Sequence, residues 1–562
     1  MTDPNNSGMP KSTGGIAWGG SLVGATNPQS LGYRYSTATK RYKRSTDGTA
    51  ADVDGHLPSS LVVQFSNRDG DSVGNQVDLP IGSDCDDMGM LVHALLNPDD
   101  DDDDDDDDTK AAKKKKNAQL RTPYTFYAKI QRPDGTEDEL EVTTTLAALI
   151  QSENISTEDV LDLTYHPLAV YRVRPVTRCT DTMPGHTEAI LHVTYSPDGR
   201  HLASGGGDTT VRFWDVNTAT PRHTCTAHKD HVLCTAWSPD GKRFASADKR
   251  GVLILWDPKT GKALSTIKAH SKWIGSMCWE PMHRNGGRCE RIATASKDGL
   301  AKIWNVRTKR CEATMAGHAD SVEAIRWGGE GLIYTASRDR LIKVWGAERS
   351  GPGANDVGKL VRTLKGHAHR INTLALSCDY VCRTGPYDHR CTKFATDDEA
   401  YQAAVQKYEA FKATKEPERL VSGSDDFTIY LWHPTEGRHP VKRMTGHQQA
   451  VNHIAFSPDG RYFASGSFDK KVKIWSGKSG DFINTLTGHV GAVYQVAWSN
   501  DSRYLVSASK DSTAKLWEIP SCRRAKETLP GHHDEVYALD WSPNGSCVAT
   551  GSKDRTIKIW KH

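Results

Sequence analysis

The chain has 562 residues, too many for one ordinary core. Its 72 Lys and Arg against 70 Asp and Glu leave a net charge of +2, but ten of the acids lie in one run, Asp99 to Asp108; without it 72 basic residues face 60 acidic ones, an excess of 12 that suits an anionic neighbour such as RNA. The 12 cysteines are scattered with no CxxC pair, which argues for reduced thiols and against a disulfide framework or a zinc site, and there is no signal peptide or apolar run of membrane-spanning length.

Residues 1–57 are rich in Ser, Thr, Gly, Asn and Lys and read as a disordered tail. The small basic cluster Lys40 to Ser45 within it is either a nuclear signal or a solvated stretch. Residues 58–176 read as one α+β unit. Leu61 to Phe65 predicts a strand, Asn67, Asp69 and Gly70 a turn, and Asn75 to Ile81 the hairpin partner. Ser83 or Asp84 then caps a helix whose apolar face is Met88, Leu91, Leu95 and Leu96, ended by Asn97-Pro98. The insertion 98–121, with its Asp run and Lys113 to Lys116, can bury nothing and reads as a solvated loop. Strands follow at Thr122 to Gln131 and Glu139 to Val142, then a short helix or turn at Thr145 to Ile150. Val160 to Tyr165 and Ala169 to Val173 read as the last strands. This order is that of a ubiquitin-like β-grasp.

From residue 177 to 562 one frame recurs eight times. It closes on Trp214, Trp256, Trp304, Trp345, Trp432, Trp475, Trp517 and Trp560, mostly about 42 residues apart, the length of a four-stranded propeller blade. Ten positions before each Trp stands a hydroxyl residue: Ser204, Ser246, Thr294, Thr335, Ser422, Ser465, Ser507 and Thr550. Six before it stands Asp208, Asp298, Asp339, Asp426, Asp469, Asp511 or Asp554, but Arg250 in the second repeat. The frames open on His186, His228, His270, His318, His367, His447, His489 and His532. This register resembles the WD40 family and implies an eight-bladed β-propeller, mainly β, in which Asp, His, Ser/Thr and Trp of each blade form a hydrogen-bonded tetrad rather than a catalytic set. Arg250 implies that the second blade lacks that network and is looser. The chain ends two residues after Trp560, so Thr177 to Met183 is expected to supply the last blade's outer strand and close the ring. Residues 378–418 interrupt the fifth repeat. Their second half predicts a helix capped by Thr396 or Asp397, with Tyr401, Val405, Tyr408 and Phe411 on one face. It projects from the bottom face, either packed on the ring edge or serving as a docking helix.

Four segments are poorly explained by generic repeat chemistry: Thr122 to Gln131, Ser156 to Arg178, His270 to Pro281 and the insertion from Asp379 to His389. Through them residues 58 to 562 resemble the Notchless family of large-subunit ribosome assembly factors. The resemblance implies a non-enzymatic protein of the nucleus and nucleolus, acting as a monomer within precursors of the 60S subunit. It implies as partner the AAA ATPase midasin, whose metal-ion-dependent adhesion site takes a carboxylate from the β-grasp unit. In the turn Ser156-Thr157-Glu158-Asp159 the matching residue is Glu158. It would complete the shell of a divalent cation such as Mg²⁺ held by the partner, the chain having no metal or cofactor of its own. In WD40 proteins the residue before each tetrad Asp faces the top of the propeller. Here those are Lys297, Arg338, Lys510 and Lys553, with Lys249 beside Arg250; positions after the opening histidines add His231, Trp273 and Arg370. This face is expected to dock on the pre-ribosome through rRNA or an acidic protein segment. The competing reading is a solvated surface paired with acids such as Asp425 and Glu535. A substrate receptor or scaffold of a ubiquitin ligase or signalling complex is the alternative function. No phosphate loop, nucleophile constellation or zinc spacing points to an enzyme, and nothing points to a membrane.

Overall fold

The computed structural model describes residues 60–66, 72–96, 124–131, 137–142, 145–153, 160–167, 173–284, 286–347, 357–412, 417–519 and 524–562. The N-terminal tail with its basic cluster, the first hairpin turn, the Asp99 to Asp108 run, Glu158, and Ala169 to Arg172 of the expected final strand lie outside them.

The N-terminal unit is a five-stranded sheet of β1 (Ser60–Ser66), β2 (Ser72–Pro80), β3 (Tyr124–Gln131), β4 (Glu137–Glu141) and β5 (Leu161–Pro167), in the order β2-β1-β5-β3-β4. The central pair, β1 and β5, is parallel, and the outer pairs are antiparallel, as a β-grasp requires. Helices α1 (Cys85–Leu96) and α2 (Leu146–Glu153) belong to the same unit. Asp84 is the cap of α1: its carboxylate accepts the Asp87 N–H at 2.9 Å. Alternation along the strands buries Leu61, Val63, Phe65, Phe126, Ala128 and Leu163 against Met88, Val92, Leu146 and Ile150. Among the described residues the β-grasp sheet ends at Pro167. Val173, expected as the end of a further strand, packs instead with Val176 among residues of the last two blades, and its N–H donates to Asp501 at 2.7 Å.

The rest forms eight four-stranded antiparallel sheets among the described residues, here blades one to eight by their closing tryptophans, Trp214 to Trp560. Blade eight joins Val536–Trp541, Val548–Ser552 and Thr556–Lys561 to Arg178–Pro184. Thr556 pairs with Pro184 and Lys561 with Arg178, so the expected closure strand is present. Ile190 and Val193 of blade one then pack on Ala538, Ala549, Ile557 and Ile559 of blade eight, sealing the ring with apolar side chains. Between blades, polar side chains stitch the innermost strands where their main chains splay. His192 Nδ1 lies 2.7 Å from Thr235 Oγ1, Asn452 donates to Tyr494 O at 2.7 Å, and Gln495 accepts the Leu539 N–H at 3.1 Å.

The insertion falls between Ile371–Leu376 and Leu420–Ser424 of blade five and carries α3 (Asp379–Thr384) and α4 (Asp397–Lys412). Thr396 caps α4: its hydroxyl accepts the Glu399 N–H at 3.2 Å while Glu399 accepts the Ala395 N–H at 3.0 Å. The predicted apolar face is used up on the propeller. Tyr401 packs on the core between blades two and three beside the buried Ala400 and Ala404, which the spacing did not single out, Tyr408 stacks on His283 with ring centres 3.8 Å apart, and Phe411 packs with blade-four and blade-five residues. Helix α3 crosses the mouth of the bore. At one end Asp379 meets Arg326 of blade four at 3.4 Å; one turn on, Arg383 meets Asp540 of blade eight at 2.9 Å. These blades face each other across the ring, so α3 is a strut over the bottom mouth, while α4, the helix expected from the sequence, packs on the ring. Lys407 of α4 ties the two helices together through Thr384 Oγ1 at 2.7 Å, and burial lowers its ammonium to about 8.

Candidate functional site

The loops that carry the tetrads form the top face. In blade eight, Trp560 Nε1–H donates to Thr550 Oγ1 at 2.9 Å, Thr550 lies 2.8 Å from His532 Nε2, and His532 Nδ1 lies 2.8 Å from Asp554. Blade one repeats this with Trp214, Ser204, His186 and Asp208 at 2.9, 2.8 and 2.9 Å. A neutral imidazole satisfies every member: the indole and hydroxyl protons run toward Nε2, and Nδ1–H goes to the carboxylate. The histidines are buried and the carboxylates take further backbone N–H bonds, so all are structural.

Burial acts to raise the Asp339 carboxyl, but the bond from His318 and those from the Ala319 and Leu341 N–H groups outweigh it and hold the group at about 2. Asp208, Asp298, Asp426, Asp469, Asp511 and Asp554 are lowered in the same way. A carboxylate depressed by folding contributes stability that is complete above its ordinary value near 4 and is lost as pH falls through the folded value. The blade of Asp339 should lose up to about 2 kcal/mol as pH falls from about 4 to about 2, and the other blades with lowered carboxyls should lose stability in the same direction. Melting temperatures taken across that range check this; a flat profile below pH 4 would contradict it.

Blade two does not lack its network. His228 Nδ1 lies 3.0 Å from Asp248, His228 Nε2 lies 2.6 Å from Ser246, and Trp256 Nε1–H donates to Ser246 at 2.7 Å. The carboxylate has moved two residues upstream, to a position held by Ser296, Ser337, Ser424, Ser467, Ser509 and Ser552 in six blades and Gly206 in another. That position points at the imidazole: a Cβ on Gly206 would stand 2.6 Å from His186 Nδ1. Asp248 also accepts the Arg250 and Val252 N–H groups, both at 2.9 Å. The expectation of a looser blade is therefore wrong, and an acid in the Ser column opposite a missing Asp was the signal for it. Arg250, released from the tetrad, extends into solvent, its side chain 59% exposed.

The other expected top-face residues sit on these loops and differ in what neutralises them. Arg338 pairs with Glu323 at 2.5 Å, Arg370 with Asp425, Lys510 with Glu535 at 3.8 Å and Lys553 with Asp534 at 3.3 Å. Lys297 lies over the Trp273 ring, 4.0 Å from its centre. His231 Nδ1–H donates to Gly207 O at 2.7 Å, and the Lys249 N–H donates to His231 O at 3.0 Å. The column that supplies Lys297 also supplies Phe468, which sequence reasoning passed over by looking only for charge. Phe468, Tyr494 and Tyr537 form an aromatic run over blades six to eight, with successive centres 6.2 and 5.4 Å apart and the Tyr494 hydroxyl donating to Glu535 at 2.8 Å. Phe468 and neighbouring Val490 are exposed.

The WD domain, G-beta repeat family matches residues 177–215, 219–257, 261–305, 309–346, 438–476, 480–518 and 523–561, passing over the interrupted repeat. The chain is similar to Protein Notchless of Drosophila melanogaster, 45% identical over 407 residues that cover 72% of this chain and 75% of that one. It is 49% identical to the Notchless protein homolog of Arabidopsis thaliana, over 64% of this chain and 72% of that one. It is 42% identical to Ribosome assembly protein 4 of Saccharomyces cerevisiae, over 65% and 71%. Among solved structures, the computationally designed Ika8 protein superposes with a TM-score of 0.51 at 23% identity, over 68% of this chain and 98% of that one, a likeness of fold alone.

Proposed function

The chain belongs to the Notchless family of WD40 proteins, and on that premise we propose that it is a non-catalytic assembly factor of the large ribosomal subunit, acting in the nucleus and nucleolus. The observation that carries this reading is the extended identity to a yeast protein named for ribosome assembly. The fold supports it: eight blades present a broad loop face of basic and aromatic side chains, while the tetrad histidines and aspartates beneath are committed to holding those loops. On this reading the top face docks on the pre-60S particle and the β-grasp unit presents Glu158 to the adhesion site of midasin. The cation of that contact, such as Mg²⁺, is the partner's; among the described residues no cluster of three or more His, Cys, Asp or Glu could hold a metal.

Glu158 follows α2 and precedes β5 in sequence. Replacing it by Asp shortens the side chain by one methylene, enough to break an oxygen–metal distance that Mg²⁺ fixes near 2.1 Å. Glu158→Asp should reduce metal-dependent capture of midasin at least tenfold in a pull-down from full-length protein while leaving the melting curve unchanged. Unchanged capture, or wild-type capture that survives a chelator, would refute the assignment.

A further inference from the structure

The top face is not evenly charged. Over blades four, five, seven and eight Arg338, Arg370, Lys510 and Lys553 are matched by Glu323, Asp425, Glu535 and Asp534, while Arg340 and Arg555 stand exposed. Over blades two and three Arg250 alone is matched, by Asp230 at 3.4 Å. Lys229, Lys249, Arg250, Lys268, Lys272 and Lys297 occupy one continuous set of loops. The Lys249 N–H bonds His231 O, Arg250 Nε lies 3.4 Å from Asp230, Lys268 Nζ donates to Arg250 O, and the Lys297 N–H bonds Trp273 O at 3.0 Å. Gly251 lets the loops touch: a Cβ there would stand 2.4 Å from Lys272 O, and its φ is +79°. Among the described residues Lys229, Lys249, Lys272 and Lys297 have no ion-pair partner, and Asp230 is the one carboxylate of these loops not committed to a tetrad.

The relocated tetrad acid adds one cation, Arg250, to this lysine-rich arc. With Asp248 buried under the loop, position 250 is free to carry a cation outward where other blades must carry an inward carboxylate. Lys297 is held in place by the indole of Trp273, which makes Trp273 a positioning residue. No large apolar side chain of these loops is exposed among the described residues, whereas the aromatic run lies over blades six to eight. Protein interfaces are depleted in lysine and built around apolar anchors; phosphate backbones are bound by unpaired Lys and Arg without such anchors. From this we infer that the arc over blades two and three binds the phosphate backbone of RNA. The inference rests on the proposed docking to a ribosomal precursor and assigns that contact to one arc of the face.

The test uses the full chain and a fluorescein-labelled single-stranded RNA of mixed sequence. Lys249→Glu, Arg250→Glu and Lys272→Glu are combined in one variant. A control variant combines Arg338→Glu, Arg370→Glu and Lys510→Glu, so both change net charge equally. The arc variant should bind at least tenfold more weakly. Its slope of log K against log salt should shrink by about 2, since each single-strand phosphate contact contributes roughly 0.7. The control should stay within about threefold of wild type by the same salt logic. Equal losses in the two variants, or a loss confined to the control, would overturn the assignment. So would polyglutamate binding that is as tight as RNA binding and equally sensitive to the arc variant, which would make the occupant an acidic protein segment. Sedimentation with large-subunit precursors separates the two claims. Wild type absent from precursors sinks the docking reading; wild type present, with an arc variant that binds RNA normally, sinks the arc alone.

Discussion

A chain that begins at Gly185 should not form a stable ring, whereas one that begins at Val173 should. The segment between them supplies the outer strand of blade eight, paired with Thr556 to Lys561 across one register shift at Thr180. It also buries Val173, Val176 and Met183, exposed to 3%, 0% and 2%. Burial of such side chains is worth about 1.5–3 kcal/mol each. Losing three of them costs roughly as much as the whole stability of a typical domain, and the deletion also leaves Thr556–Lys561 as an open sheet edge. The shorter chain is expected to aggregate or to melt without cooperativity in calorimetry. A peptide covering residues 173–184, added in trans, should restore part of the transition. Identical melting of the two chains would show that closure does not depend on this strand.

Replacing Asp248 by Ser should destabilise the propeller by roughly 3 kcal/mol or more, the scale of stripping a buried charged acceptor from its donors. Three donors lose their partner together: His228 Nδ1–H and the N–H groups of Arg250 and Val252. The double variant Asp248→Ser, Arg250→Asp should return close to wild-type stability, because it recreates the Ser and Asp arrangement of blades three to eight. Urea denaturation of the wild type and the two variants decides the matter. If the single variant unfolds with the wild type, or the double variant is no better than the single, the carboxylate at 248 is not the tetrad acid.

The local spacings of the sequence determined most of the architecture. A tetrad is built within about one repeat, from a loop and a hairpin whose separation the chain itself fixes, so eight periodic sets of His, Ser/Thr and Trp, seven of them with Asp in register, are legible as eight blades. The β-grasp followed from strand and helix order for the same reason, and the closure strand expected at Thr177 to Met183 is found at Arg178–Pro184. What periodicity could not decide was which atoms meet when more than one candidate is within reach. Asp248 replaces the acid absent at 250 because two residues along a strand end leave a carboxylate on the same imidazole, a distance that exists only once the hairpin is folded. The insertion reads as an amphipathic helix, yet its role as a strut comes from Asp379 and Arg383 meeting Arg326 and Asp540 across the bore, the latter pair 157 residues apart. The charge of the top face was likewise undecided by counting lysines. Glu323, Asp425, Glu535 and Asp534 neutralise some cations and leave Lys229, Lys249, Lys272 and Lys297 of blades two and three without an ion pair among the described residues, because an ion pair depends on Ångström separations set by the packing of whole sheets.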